Sequence, residues 1–309
     1  GNLFFFKDVI SPGITLDIAK GTSRIIRDCF NEIGCNAFSV GSKDFAAGVD
    51  FLKELESGAT FDFLSANIYK KNTNKLLFKP YKIENVNGTK VGFIGLTSKF
   101  NNDEITVSDP IDALATVFQK VRSESDLVVL LFHSIESDIR KLHNLNLNID
   151  LVLRSKAKTR SKDGGGKAIP VYSLGDRGKY LYQFDFIENE PGQPFIDRIA
   201  YENLIETSKK KLDRISAGNK DADLRKMYKD DPQTLSKINK SYSDMADSEI
   251  ILDNIINEIV MVKHELGKSI DSSTEILQII DIGKLQLEDL YGPIPDPQSF
   301  PHGHPNHRH

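Results

Sequence analysis

Residues 88–97 read Gly-Thr-Lys-Val-Gly-Phe-Ile-Gly-Leu-Thr, and residues 126–133 read Asp-Leu-Val-Val-Leu-Leu-Phe-His. Each contains an apolar run of strand length that is rich in β-branched or aromatic side chains. A helix is predicted between them, over residues 111–121. Strands separated by a helix indicate an α/β layered domain, so this stretch predicts an α/β fold.

The same alternation extends outward along residues 1–202. It predicts further strands over residues 37–40, 63–68 and 151–153, and further helices over residues 14–33, 46–55 and 137–145. Later segments are β-like with no helix between them. These β-like segments are residues 169–174, 180–187 and 195–201. Turn signals at Gly175-Asp176 and Pro191-Gly192 separate them, and together they predict an antiparallel sheet edge.

The pattern changes at about residue 203. Apolar residues then recur every three or four positions, and Asp231-Pro232 is a good helix start, so a single coiled-coil helix is predicted over residues 232–267. Shorter amphipathic pieces, residues 204–215 and 276–290, are expected to fold back along it. The predicted organisation is a domain over 1–202, a helical coiled-coil arm over 203–291 and a Pro/His-rich tail over 292–309.

Composition limits the classes of partner. The formal net charge of −4 over 309 residues argues against a nucleic acid or an anionic membrane as partner, and no apolar run reaches the ~20 residues that span a bilayer. Cys29 and Cys35 are six residues apart, so free thiols are expected unless a helix ends between them. Because the chain opens at Gly1 rather than Met, we expect a fragment or a processed chain.

Several segments carry a more specific resemblance. Residues 35–48 read Cys-Asn-Ala-Phe-Ser-Val-Gly-Ser-Lys-Asp-Phe-Ala-Ala-Gly, residues 63–68 read Phe-Leu-Ser-Ala-Asn-Ile, and residues 78–81 read Phe-Lys-Pro-Tyr. Together with residues 88–97, and in this order, they resemble the N-terminal domain of the 5′-nucleotidase family of calcineurin-like metallophosphatases. The likeness continues through residues 126–133, 149–153 and 180–186. The resemblance implies a β-sandwich flanked by helices, and a periplasmic or extracellular protein.

Active members of that family are expected to hold two divalent metals ~3.5–4 Å apart, through Asp, Asn and His side chains at strand ends. The family's first Asp-x-His motif would lie upstream of Gly1. The other ligand positions correspond here to Asn2, Ser42, Lys43, His133, Lys156 and Lys158, of which only His133 keeps a family histidine. A protonated lysine offers no lone pair to a metal. The resemblance and these changes predict a degenerate metal site with no catalytic residue, no metal ligand and no cofactor.

The histidine count supports the same prediction. Only His133, His143 and His264 lie in the body of the chain, and the other four lie in the tail, at His302, His304, His307 and His309. The tail is open to three interpretations: adventitious metal binding, an assembly contact or a disordered end.

The lysines are also open to two interpretations. Lys43, Lys156 and Lys158 are either solvated replacements at a cleft mouth or the remnant of an anion-binding pocket. The basic, Gly-rich loop over residues 154–167 is interpreted as an exposed loop or a docking surface for an acidic partner, in preference to a nucleotide site.

These observations predict a catalytically inactive metallophosphatase-like protein that assembles with a protein partner, or with itself, through residues 203–291. A metal-dependent phosphoesterase acting on nucleotides and a non-catalytic anion-binding module remain the alternatives.

Overall fold

The computed structural model describes residues 1–157, 159–175, 178–217, 219, 223–267 and 269–293. Within these residues the helices are α1 (Leu16–Ile33), α2 (Val49–Ser57), α3 (Pro110–Glu124), α4 (Glu136–His143), α5 (Arg198–Ile215), α6 (Leu224–Met227), α7 (Pro232–Asp253) and α8 (Thr274–Tyr291). The strands are β1 (Ala37–Ser39), β2 (Asp62–Leu64), β3 (Ile68–Lys70), β4 (Tyr81–Val86), β5 (Thr89–Thr97), β6 (Ile105–Val107), β7 (Leu127–His133), β8 (Leu151–Ser155), β9 (Val171–Ser173), β10 (Tyr180–Ile187), β11 (Phe195–Ile196) and β12 (Asn257–Glu265). None of the helices described is long and apolar enough to cross a membrane.

A five-stranded sheet in the order β4-β5-β7-β8-β9 forms the centre of the fold. Strands β5, β7, β8 and β9 run parallel, and β4 joins the edge antiparallel to β5. The two runs that open the sequence analysis are the neighbouring strands β5 and β7, in register from Val91↔Leu127 to Thr97↔His133. The predicted α/β core is confirmed.

Alternate side chains of β7 pack on opposite faces of this sheet. Val128, Leu130 and Phe132 face α3 and α4 and join the largest apolar core. Leu127 and Val129 face a second sheet of order β10-β12-β11. Burial on both faces explains why the strand is continuously apolar. The predicted β-sandwich flanked by helices is therefore confirmed.

A second core, rich in phenylalanine, lies beneath α1 and α2. The ring of Phe63 lies 5.1 Å from that of Phe38 and 5.7 Å from that of Phe4, measured between centroids. All three side chains are buried, and burial of one phenylalanine stabilises a fold by about 1.5–3 kcal/mol. The N-terminal residues are thus held in the body of the protein by Phe4.

The predicted single helix over residues 232–267 is wrong. Helix α7 ends at Asp253, and residues 257–265 form β12, which pairs antiparallel with β10 and parallel with β11. The spacing of Ile259 and Val262 fits a helix, but these β-branched residues also suit a strand, and Ile259 is buried between the sheets. Pairing with β10 and β11 therefore makes residues 257–265 a strand, despite the helical spacing of their apolar side chains.

The flanking amphipathic pieces pack on different neighbours. Residues 204–215 lie in α5, which packs against α7 around buried Leu212 and Ile238. Helix α8 instead packs against α1, where two glycines permit close approach. A Cβ atom on Gly21 would lie 2.2 Å from Leu287, and one on Gly283 would lie 2.5 Å from Ile25. The prediction that residues 276–290 fold back along the 232–267 segment is therefore wrong.

The antiparallel sheet edge predicted from residues 169–201 is also incorrect. Strand β9 is parallel to β8, whereas β10 belongs to the second sheet, and β11 is only two residues long. Buried Asp197 explains why the chain turns into α5 there, because its Oδ1 accepts the N–H of Ala200 (3.1 Å) as the helix cap. Its Oδ2 accepts the Tyr172 hydroxyl (2.5 Å) and the Gly164 N–H (2.7 Å). Burial and this bond to Asp197 both raise the pKa of Tyr172.

Candidate functional site

The candidate site lies where parallel strands β5, β7 and β8 end, the usual position for ligand sites in sheets of this kind. Thr97, His133 and Ser155 are the last residues of these three strands and stand in register. A 3₁₀ turn over Ser42–Phe45 follows β1. A Cβ atom built on Gly1 would lie 2.9 Å from Gly41 Cα and 3.1 Å from His133 Cβ, so the first residues of the chain pass directly over this edge.

Most of the predicted site residues therefore meet at one end of the sheet. Asn2 follows Gly1, Ser42 and Lys43 follow Gly41, and Lys156 follows Ser155. The amino group of Gly1 donates a hydrogen bond to Ser155 Oγ (3.3 Å). Lys158, the remaining predicted residue, lies outside the described residues, as does the histidine-rich tail.

Buried Asp44 fastens the N-terminal segment to the loop after β1. Its carboxylate accepts four backbone N–H groups, from Asn2 (2.8 Å), Leu3 (2.7 Å), Phe4 (3.1 Å) and Gly41 (2.8 Å). Burial raises the pKa of Asp44, and the N-terminal ammonium group and these donors oppose the rise. The sequence reasoning missed this residue. One signal was available in the sequence: Asp44 stands three positions after Gly41, at the start of a turn. An acid at this spacing commonly caps the first backbone N–H groups of a turn or helix.

The side chain of Asn2 completes the same network. Asn2 Oδ1 accepts the Lys43 N–H (2.9 Å), and the Asn2 backbone is left-handed, with φ of 65°. The left-handed region is more accessible to asparagine than to most residues. The family resemblance places the Asn2 side chain at a metal-ligand position. In this structure its amide oxygen instead accepts the Lys43 N–H and joins two loops.

His133 is buried beneath the network, with 1% of its surface exposed. Its Nδ1 lies 2.9 Å from Ser155 Oγ, and its buried Nε2 has no hydrogen-bond partner among the described residues. Burial first, then the positive charges of the N-terminal ammonium, Lys156 and Lys43, lower the pKa of His133 to about 3. The imidazole is therefore neutral near pH 7.

The two described lysines of the site differ in environment. Lys43 is half-buried, and its Nζ lies 5.4 Å from the centroid of the Phe6 ring, a cation–π contact. Lys156 is exposed and has a left-handed backbone, with φ of 68°. Both are close enough to His133 for their charges to lower its pKa.

Asn67, in the Ser-Ala-Asn motif of residues 65–67, has a structural position beside this edge. It is fully buried, and its Nδ2 donates to the carbonyl groups of Thr97 (2.6 Å) and Ser108 (2.9 Å). Its Oδ1 accepts the Thr97 N–H (3.0 Å). All the polar atoms of this amide are therefore used to tie the end of β5 to the segment before α3.

The residues described at this edge do not fit a two-metal centre. Such a centre requires several carboxylate, amide and imidazole lone pairs converging on two ions. Among the described residues, no group of three or more His, Cys, Asp or Glu side chains could hold a metal ion. His133 Nε2 is the free imidazole nitrogen here, whereas the oxygens of Asp44 and Asn2 Oδ1 already accept backbone N–H groups.

Sequence comparison gives relatives for about half of the chain, although no family model matches it. The protein UshA of Yersinia enterocolitica is 30% identical over 177 residues, which cover 53% of this chain and 32% of the relative. A 5′-nucleotidase of Vibrio parahaemolyticus is 34% identical over 113 residues, or 33% of this chain and 20% of the relative. The chain thus spans a third or less of the length of these relatives.

Among solved structures, the calcineurin-like phosphoesterase YfkN of Bacillus subtilis superposes with a TM-score of 0.48 at 23% identity. The superposition covers 55% of this chain and 63% of that one. A 5′-nucleotidase precursor of Thermus thermophilus gives a TM-score of 0.46 at 20% identity, covering 61% of this chain and 45% of that one.

These relatives correct one prediction made from the sequence. The prediction that the chain takes no cofactor is contradicted, because the matched proteins include 5′-nucleotidases, the class of enzyme that the resemblance associates with two divalent metals. Over the part that it shares with these relatives, the chain is similar to members of the 5′-nucleotidase family of the calcineurin-like phosphoesterases.

Proposed function

We propose that the chain is a non-catalytic member of this family and acts in protein assembly. The observation that carries the proposal is the hydrogen-bond network of Asp44. This network occupies the edge where active relatives are expected to direct ligand lone pairs toward metals, and the lone pairs of Asp44 and Asn2 are directed at backbone N–H groups instead.

The charges at this edge support the same proposal. A divalent ion would have to enter beside the ammonium groups of Lys43 and Lys156, which already act on His133. Like charges at close range repel one another, most strongly where burial reduces the dielectric screening. The arrangement is therefore better suited to a structural role than to hydrolysis by two metals.

Helix α8 provides the surface for assembly. Its inner side packs on α1, whereas Ile282 and Leu285, on the side turned away from the Leu287 contact, are 57% and 60% exposed. Large exposed apolar side chains in one place mark interaction sites more often than isolated ones do. We propose that this side of α8 contacts a protein partner, and self-association is the form that the chain alone can test.

A phosphoesterase assay tests the first part of the proposal. Bis(p-nitrophenyl) phosphate and adenosine monophosphate are incubated with the wild-type chain and with His133→Ala, each with Mn²⁺ and with a chelator. For each substrate, we expect the same background rate in all four combinations of protein and metal condition. Hydrolysis that requires Mn²⁺ and is lost in His133→Ala would instead establish the alternative, a metal-dependent phosphoesterase like the relatives named above.

Sedimentation velocity tests the second part. We expect the wild-type chain to sediment as an oligomer and Ile282→Lys/Leu285→Lys as a monomer. Ile250→Lys is the control, since Ile250 is 63% exposed but lies on α7. A wild-type monomer, or equal dissociation of the control, would contradict assembly through α8.

The periplasmic or extracellular setting is part of the proposal. It is supported by the family resemblance alone, and a fractionation experiment on the source organism would test it.

A further inference from the structure

A second cleft lies against the β10-β12-β11 sheet, formed by residues other than those of the candidate site. The loop over residues 159–162 and the segment at Leu174 and Gly175 form one wall, and the neighbouring strands β10 and β12 form the other. Its volume is about 860 Å³, within the range of small-molecule sites. Four basic and two aromatic side chains line it: Arg160, Lys162, Lys179, Lys263, Tyr180 and Tyr182.

Two of the four cations in the cleft, Arg160 and Lys263, lie over the same aromatic ring. The guanidinium carbon of Arg160 lies 4.2 Å from the centroid of the Tyr180 ring, and Lys263 Nζ lies 4.8 Å from the same centroid. Among the residues described, none of the four basic side chains has a carboxylate within 4 Å. Acids near the cleft among the described residues include Glu265, opposite Tyr180 in the strand register, and Glu206, whose pKa is lowered chiefly by its bond to Lys210 and only to a small extent by Lys162. The cleft therefore carries an excess of positive charge.

The wall that holds Arg160 is fixed by hydrogen bonds. The Ser161 N–H donates to the Ser173 carbonyl (3.0 Å), and the Ser173 N–H donates to Ser161 Oγ (3.0 Å). The stem of Arg160 lies against Gly175, where an added Cβ atom would be 2.7 Å from Arg160 Cγ and where φ is +78°. The exposed Arg160 side chain is thus restrained at its stem, and a restrained stem lowers the entropic cost of binding.

We propose that this cleft binds an oligophosphate, a ligand with two or more linked phosphate groups. Such a ligand places several negative charges in a small volume, which matches four cations around one cavity. Arginine pairs with phosphate through two parallel hydrogen bonds, and lysine adds point charges. The net charge of −4 makes a general affinity for polyanions a poor explanation, so the binding would depend on this local arrangement. The proposal is independent of the assembly role.

Isothermal titration calorimetry with inorganic triphosphate tests the proposal. We expect wild-type binding that weakens as salt is added, and about tenfold weaker binding for each of Arg160→Gln and Lys263→Gln. The matched control is Lys209→Gln/Lys237→Gln, which removes two exposed charges on α5 and α7. Adenosine triphosphate in a parallel titration shows whether the phosphates alone account for the affinity, or whether a nucleoside adds to it.

Gly175→Ala provides a test of geometry at constant charge. The new methyl group should displace Arg160 and weaken triphosphate binding, with melting temperature measured in parallel to verify folding. The proposal is overturned if the wild-type chain does not bind triphosphate, or if the control loses as much affinity as the cleft variants. It is also overturned if Lys43→Gln/Lys156→Gln, at the candidate site, abolishes binding while the cleft variants retain it.

Discussion

His133 should make the protein less stable in mild acid. In the unfolded chain its pKa is near 6.5, whereas in the folded chain it is about 3, so the unfolded state binds the proton first as the pH falls. Where the unfolded state binds more protons than the folded state, the free energy of unfolding decreases as the pH falls. From about pH 7.5 to about pH 4.5, this single group should lower the free energy of unfolding by about 3 kcal/mol.

The substitution His133→Gln isolates the effect, because glutamine keeps a hydrogen-bonding side chain and does not titrate. Urea unfolding followed by circular dichroism, repeated across the pH range, measures the free energy of unfolding of each variant. The wild-type curve should fall more steeply than that of His133→Gln by the stated amount. His264→Gln is the control, since this imidazole is exposed on β12. Parallel curves for the wild type and His133→Gln would refute the burial of a neutral imidazole.

Three further substitutions test the packing. Tyr172→Phe removes the hydroxyl that donates to Asp197 and should lower the free energy of unfolding by about 1–3 kcal/mol in urea titrations; no change would mean that water replaces the bond. Asp44→Ala leaves four backbone N–H groups without their acceptor and should cost about 3–5 kcal/mol in the same assay, whereas a loss below ~1 kcal/mol would argue against the network. Gly21→Leu should separate α8 from α1, because even a Cβ atom at this position would lie 2.2 Å from Leu287. We expect faster deuterium exchange that is confined to residues 274–291. Unchanged exchange in this segment would contradict the contact between the two helices.

The central sheet was predictable because its strands have an unambiguous pattern. Residues 127–132 are apolar without interruption, as a strand buried on both faces must be, and helix α3 begins at a capped Asp109-Pro110 step. Residues 257–265 lacked such a pattern. Ile259 and Val262 are three positions apart, a helical spacing, and only their β-branched side chains favour a strand. The strand partners that decide the conformation lie about 70 residues earlier in the chain.

The site was predictable in location but not in its bonding. The family motifs placed Asn2, Lys43 and His133 at one edge, and the parallel register brings them there. Asp44 was overlooked because a single acid in a loop carries no sequence signal of burial. Its role depends on the N-terminal segment, which reaches it only in the folded chain.

The insertion of β12 between β10 and β11 has a consequence for the order of folding. The centre strand of this sheet is synthesised after both of its neighbours, so neither can complete its ladder until residue 265 has left the ribosome. Until then, Tyr180–Ile187 exposes unpaired backbone groups on both edges, a template for association between nascent chains. A product truncated near residue 202 would keep that exposed strand permanently, and we expect it to aggregate rather than to fold as a smaller version of the protein.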